Sequence, residues 1–204
     1  MNPSEATHLS LLSRVKNPAD AAAWRAFESR YRELLVRFAR RRGLQHADAE
    51  DVAQIVLGSL AKTLPGFVYD PNRGRFRDYL FRCARNAISQ WLARPSAAIR
   101  ALDTSVAAAA PALGSDATPP DEAGAWEQEW VAHHYRLAMV RVREAFDARS
   151  VEVFERNVAG VPVAALATEY AMSEQAVHKV RQRIRQRMQE LIAEQVEEED
   201  RVDG

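Results

Sequence analysis

The sequence predicts an all-α chain made of two small helical domains joined by a flexible linker. Three observations predict it. Apolar residues recur at helical spacing almost everywhere, no stretch alternates as a strand does, and residues 95–124 hold hardly a large apolar side chain. With 204 residues the chain can form one large or two small domains, each with a core of its own.

The first helix carries Trp24, Phe27, Tyr31, Leu34, Leu35 and Phe38 along one stripe, stepping by three and four. Asp20, just after Pro18, is its expected start, and Gly43 its stop after the basic turn Arg40-Arg41-Arg42. A second helix opens at Asp48, has Asp51 in its first turn, buries Val52, Ile55, Val56 and Leu60, and ends near Pro65-Gly66. Tyr69-Asp70-Pro71-Asn72-Arg73-Gly74 is turn chemistry, and a third helix follows from about Phe76 to Leu92. Residues 95–125 then read as an acidic tether of Ala, Pro, Ser, Thr and Gly, because such a segment buries too little surface to offset its ordering entropy. From Trp126 the helical spacing resumes through Trp130, Leu137, Val140 and Phe146. Past Pro162 it gives a short helix, a tight turn and a long helix to about Glu197, with a disordered acidic tail over 198–204.

Residues 163–182 fit a helix-turn-helix position by position. Counting Val163 as one, position five is Ala167, where only a small residue lets the two helices cross closely. Position nine is Ala171 in the turn, and positions fifteen and eighteen are Val177 and Val180, which pack the second helix on the first. Ser173 suits the N-cap. Val177, Val180, Ile184, Met188 and Leu191 form one stripe, and Gln175, His178, Lys179, Gln182, Arg183 and Gln186 gather opposite. Arg pairs with guanine, Gln with adenine, and neighbouring cations engage phosphate, so this face suits the major groove. A basic helical hairpin alone is equally an amphipathic helix with a solvated face. The small residue, turn, cap and two valines in register raise the DNA reading above that. Ala171 departs from the glycine usual at position nine and implies a steric cost there.

Charge is segregated on a chain whose net charge is zero. Residues 1–100 hold 17 Lys+Arg against 9 Asp+Glu, while Lys179, Arg181, Arg183, Arg185 and Arg187 crowd into nine positions. Such segregation fits polyanion-binding faces. Basic positions are nearly all Arg, whose planar fork suits phosphate and base edges, although genomic base composition gives the same bias. The single cysteine, Cys83, excludes an internal disulfide and a thiolate metal cluster. With no signal-like or membrane-spanning run, a cytosolic protein without membrane insertion is expected. No Gly-rich phosphate loop, paired His/carboxylate site or activated nucleophile is evident, so neither catalytic residues nor cofactors nor metals are expected. Asp147, Glu155 and Glu169 read as solvated helix faces.

On the third helix, Phe76, Leu80, Cys83, Ala84, Ala87, Ile88, Trp91 and Leu92 cover one side. Arg82, Arg85, Asn86 and Ser89 cover the other, flanked by Tyr79 and Gln90, with Arg75 and Arg77 at the helix start. Cations beside an amide and an aromatic suit a strand whose bases are unstacked and captured.

The order of motifs is what makes a resemblance specific. Residues 48–54 (Asp-Ala-Glu-Asp-Val-Ala-Gln), 75–80 (Arg-Phe-Arg-Asp-Tyr-Leu) and 84–88 (Ala-Arg-Asn-Ala-Ile), followed by a linker and a helix-turn-helix, resemble extracytoplasmic-function (ECF) RNA polymerase sigma factors. Ser10–Pro18 and Tyr69–Phe76 resemble a branch common in planctomycete-type bacteria. The resemblance implies a sigma-2-like bundle over 8–94 and a sigma-4-like helix-turn-helix domain over 126–197. It implies that Asp48, Asp51, Gln54 and Leu57 face core RNA polymerase. Arg77, Tyr79, Arg82, Arg85, Asn86, Ser89 and Gln90 would serve the minus-ten element, with Asn86 accepting a flipped base. Gln175, His178, Lys179, Gln182 and Arg183 would read the minus-thirty-five element. The partners implied are core polymerase and promoter DNA, and the resemblance admits an anti-sigma factor. Ile55 departs from the acid common in that family after the Gln. Two other readings stay open: an autonomous, dimeric helix-turn-helix regulator, and a sigma-like adaptor that has lost promoter activity.

Overall fold

The structure is a computed structural model and describes residues 10–66, 75–94 and 120–200. The turn read at 69–74 and most of the tether read at 95–125 lie outside the described residues. Every regular element described is helical: α1 (Leu11–Val15), α2 (Ala21–Arg41), α3 (His46–Thr63), α4 (Phe76–Leu92), α5 (Pro120–Ala145), α6 (Ala148–Val158), α7 (Val163–Glu169) and α8 (Glu174–Asp200), with a 3-10 turn at Leu64–Gly66. The chain divides into two compact units, one of residues 1–130 with 198–204 and one of residues 131–197.

In the first unit, α2, α3 and α4 pack on one another and α1 packs on α2. Asp20 caps α2, its carboxylate accepting from Ala23 N–H at 2.8 Å. That bond, with help from Arg14, holds the carboxyl below its usual range. The helix stops as its sequence dictates. Gly43 takes φ +93°, its N–H returns to Arg40 C=O at 3.0 Å, and Leu44 N–H reaches Ala39 C=O at 3.3 Å. This is the Schellman closure, in which only the residue at the left-handed position is stereochemically demanding. The third helix falls on Phe76–Leu92 as its spacing predicts, with Asp78 accepting from Arg75 N–H. The second begins at His46, two residues before Asp48.

The core is aromatic. Phe27 lies 4.7 Å from Tyr31 and 5.9 Å from Phe76, and Phe38 lies 5.9 Å from Phe81, all ring to ring. Two side chains expected in the second domain, Trp126 and Trp130, are buried in this same core. Helix α5 begins at Pro120, and its first turns bring acids to arginines of the first unit. Glu122 pairs with Arg42, Glu127 with Arg77, and Glu129 with Arg41 at 3.2 Å. At the other end of the chain, residues 198–200 continue α8 rather than forming the tail expected there. Glu198 accepts from Arg30 at 2.8 Å, and buried Glu199 accepts from the Tyr31 hydroxyl at 2.8 Å. Burial, then the neighbouring carboxylate, pushes the Tyr31 phenol well up.

In the second unit the spacing read as running through Phe146 is interrupted, because α5 ends at Ala145 and Asp147 caps a separate helix. Its carboxylate accepts from Ser150 N–H at 2.9 Å, so Asp147 is a cap and not a solvated face. Glu155 and Glu169, read likewise as solvated, pair with Arg143 and Arg156. Ala138, Met139, Val142, Val151, Phe154, Ile184, Met188 and Leu191 form one core cluster, and Val153, Leu166, Ala167 and Val177 another. Val140, placed on the apolar stripe by its spacing, is exposed.

Candidate nucleic-acid interface

The helix-turn-helix is built as the sequence spacing requires. Ala167 is buried where α7 meets α8, Val177 is fully buried, and Ser173 Oγ accepts from Ala176 N–H at 3.1 Å as the N-cap. The turn closes with the hydrogen bonds seen after Gly43. Ala171 N–H returns to Thr168 C=O at 3.2 Å and Met172 N–H to Ala167 C=O at 2.8 Å. Gly160 closes α6 in the same way, with φ +98°. At the third closure the left-handed residue is Ala171, with φ +46°, the one non-glycine residue at positive φ among those described.

Two α6 arginines fasten this turn. Arg149 donates to the Tyr170 carbonyl, and Arg156 pairs with Glu169 while lying 5.8 Å from the Tyr170 ring centroid. Holding a β-carbon at positive φ costs about 1–2 kcal/mol, partly offset because alanine loses less backbone entropy than glycine on folding. Ala171→Gly is therefore expected to stabilise the chain by up to about 1 kcal/mol, raising its denaturation midpoint in urea. A lower midpoint would show that the turn is not strained.

Along α8, Gln175, His178, Lys179, Gln182 and Arg183 are all exposed on the side away from buried Val177, Ile184 and Met188. No acid interrupts the run from Gln175 to Gln189. The Arg183 guanidinium lies 5.6 Å from the Phe146 ring centroid, a cation–π platform that sequence spacing did not reveal. Farther along, Arg187 pairs with Glu190 at 3.1 Å.

On α4 the structure divides the expected readers. Arg82, Arg85 and Asn86 are partly exposed, and Ser89 and Gln90 are exposed. Asn86 has no hydrogen-bond partner among the described residues, so its amide is available. Tyr79, expected as a flanking reader, is 7% exposed, and its hydroxyl lies 3.1 Å from Thr63 Oγ1. Arg77 is committed within the first unit, paired with Glu127 and 5.8 Å from the Trp130 ring centroid, and burial lowers its pKa. Leu92, read as part of the buried stripe, is 56% exposed, while Phe81 is buried in its stead. Sequence reasoning also missed Arg94, whose guanidinium sits 4.8 Å from the Trp91 ring centroid.

On α3, Asp51 and Gln54 are exposed and Asp48 is partly exposed. Leu57, expected to face the polymerase, is buried in the core. Cys83 is buried in the core, and burial pushes its thiol up to about 11. Among the described residues no group of three or more His, Cys, Asp or Glu is placed to hold a metal ion, and no helix is long and apolar enough to cross a membrane.

Residues 28–97, which hold most of α2 and all of α3 and α4, match the family model described as Sigma-70 region 2. Over these residues, about a third of its length, the chain is similar to sigma-70 region 2. The polar face of α4 and the exposed residues of α3 both lie within the matched residues. Comparison with curated proteins gives no match. Among solved structures, CnrH in complex with the cytosolic domain of CnrY is similar, with 21% identity over 90% of this chain and 95% of that one at a TM-score of 0.35.

Proposed function

We propose that this chain is a transcription initiation factor of the ECF sigma type, working in the cytoplasm with core RNA polymerase and promoter DNA and catalysing no reaction itself. The observation that carries the proposal is region 2 itself, with an available amide, Asn86, set among Arg82, Arg85 and Ser89 on the open face of α4. Exposed Asp51 and Gln54 on α3 engage the polymerase. The open face of α4 captures bases of one minus-ten strand once the duplex parts, so that unpairing is offset by stacking and polar contacts. Gln175, His178, Lys179, Gln182 and Arg183 read the upstream element in the major groove. Two weak readers on one chain add through effective concentration. An autonomous regulator accounts for the helix-turn-helix but leaves region 2 without a task.

The deciding experiment mixes the purified chain with core polymerase and a promoter library. Sequence-specific transcripts that need both components are expected, and duplex binding without polymerase in place of transcription would overturn the proposal. Replacing Asp51 and Gln54 together with Ala is expected to weaken polymerase binding while changing stability by under about 0.5 kcal/mol, as exposed substitutions do. Pull-down and thermal melting check the two halves of that statement.

A further inference from the structure

We infer that Arg32 is a positioning residue for Gln54. It turns the Gln54 amide so that α3 offers the polymerase a hydrogen-bond donor, and the polymerase group opposite is an acceptor, a carboxylate or a carbonyl. The inference rests on the reading of α3 as the polymerase-binding helix.

Arg32 projects from α2 toward α3. Its Nη2 donates to Oε1 of Gln54 at 2.6 Å, and its Nη1 donates to Oε2 of Glu50 at 2.6 Å. Glu28, one turn back on α2, lies 3.4 Å from the same fork. The hydrogen bond to Glu50 raises the Arg32 pKa first, followed by the charges of Glu50 and Glu28. A guanidinium has donors and no acceptor, so the amide atom facing it is the carbonyl oxygen. The NH2 group of Gln54 is thereby turned away from Arg32 on an exposed side chain. A glutamine without such an anchor presents either end, and fixing it at the moment of binding costs side-chain entropy. Here the fork fixes it beforehand.

The neighbours sharpen the chemistry. Glu28 and Glu50 are engaged by the same guanidinium, whereas exposed Asp51 has no partner among the described residues. Asp51 and Gln54 are three positions apart and share one helical face. The adjacent Ile55 supplies neither donor nor acceptor. The face therefore shows a carboxylate next to an amide donor. It is matched by a partner that sets a cation beside an acceptor, and not by a uniformly basic surface.

Binding of the full chain to core RNA polymerase, measured as a dissociation constant and paired with thermal melting, tests this. Gln54→Ala should weaken binding about three- to tenfold, as loss of one hydrogen bond does. If Gln54→Ala and Asp51→Ala both bind like the unaltered chain, α3 is not the interface and the parent reading falls. Gln54→Glu keeps Arg32 engaged through a charge-assisted bond but removes the outward donor. It should bind at least as poorly as Gln54→Ala with an undiminished melting temperature. Arg32→Lys keeps the charge beside Glu50 without a fork to span both partners. It should weaken binding several-fold and add nothing further to Gln54→Ala. Weakened binding in Gln54→Ala with normal binding in Gln54→Glu would overturn the donor assignment. Additive losses in the Arg32→Lys, Gln54→Ala double variant would overturn the positioning role.

Discussion

Trp126→Ala is expected to destabilise the first unit by about 3–5 kcal/mol, the range for truncating a large buried aromatic side chain. The indole is 2% exposed, 5.1 Å from the Phe38 ring, 5.5 Å from Phe81 and 5.7 Å from Trp130. Removing it leaves a cavity walled by rings on separate helices, which cannot close together without moving α2 against α4. Since a whole domain is stable by only about 5–15 kcal/mol, such a loss unfolds a large fraction of the molecules under mild conditions. Hydrogen exchange on the intact 204-residue chain locates the effect. Lost protection in α2, α3 and α4 is expected. Protection lost only within residues 131–197 would show that Trp126 belongs to the other unit. The result bears on function because the α5 turns holding Trp126 also carry Glu127, the carboxylate that engages Arg77.

Features that local chemistry decides were legible in the sequence, and those decided by distant partners were not. The bounds of α4, the Gly43 stop, the Asp20 cap and the helix-turn-helix register all follow from side chains within a few positions of one another. Even the cost at Ala171 was visible, because a left-handed turn residue is a local requirement. The assignment of residues 120–130 was not. Asp121 and Glu122 continue the acidic composition of the tether, and Trp126 resembles the opening of a new core. What fixes them is Arg41, Arg42 and Phe38, some eighty residues earlier, and pairings of that kind leave no periodic trace. The partners of Tyr79 and Arg77 left no trace for the same reason, since Thr63 and Glu127 engage them from other helices. Leu57 differs. It continues the step Ala53, Leu57, Leu60, Leu64, all buried, and that spacing was there to be read.

If α4 captures a promoter strand as proposed, Asn86 is the residue on which that capture turns. Its amide lies one turn from Arg82 and from Gln90, beside Arg85 and Ser89, on the side away from buried Leu80 and Ile88. Arginines suit the phosphates of a parted strand, whereas a planar amide offers a paired donor and acceptor to one base edge. Asn86→Ala is therefore expected to lower open-complex formation by about 1–3 kcal/mol, roughly five- to 150-fold, and to relax preference at one minus-ten position. The fold should hold, because the side chain is partly exposed and bonds no described residue. Arg183→Ala separates the two readers. Its guanidinium belongs to the helix-turn-helix, so its loss should weaken the closed complex through the upstream element and leave minus-ten preference unchanged. Permanganate footprinting reports strand opening, and filter binding at low temperature reports the closed complex, so the two variants should fail in different assays. A dimeric regulator gives another pattern, with duplex binding sensitive to Arg183, indifferent to Asn86 and independent of polymerase. If the Asn86→Ala chain opens promoters at the unaltered rate with unchanged minus-ten preference, α4 does not capture the base through this amide. The task would then pass to Gln90, the exposed amide one turn farther along the same face.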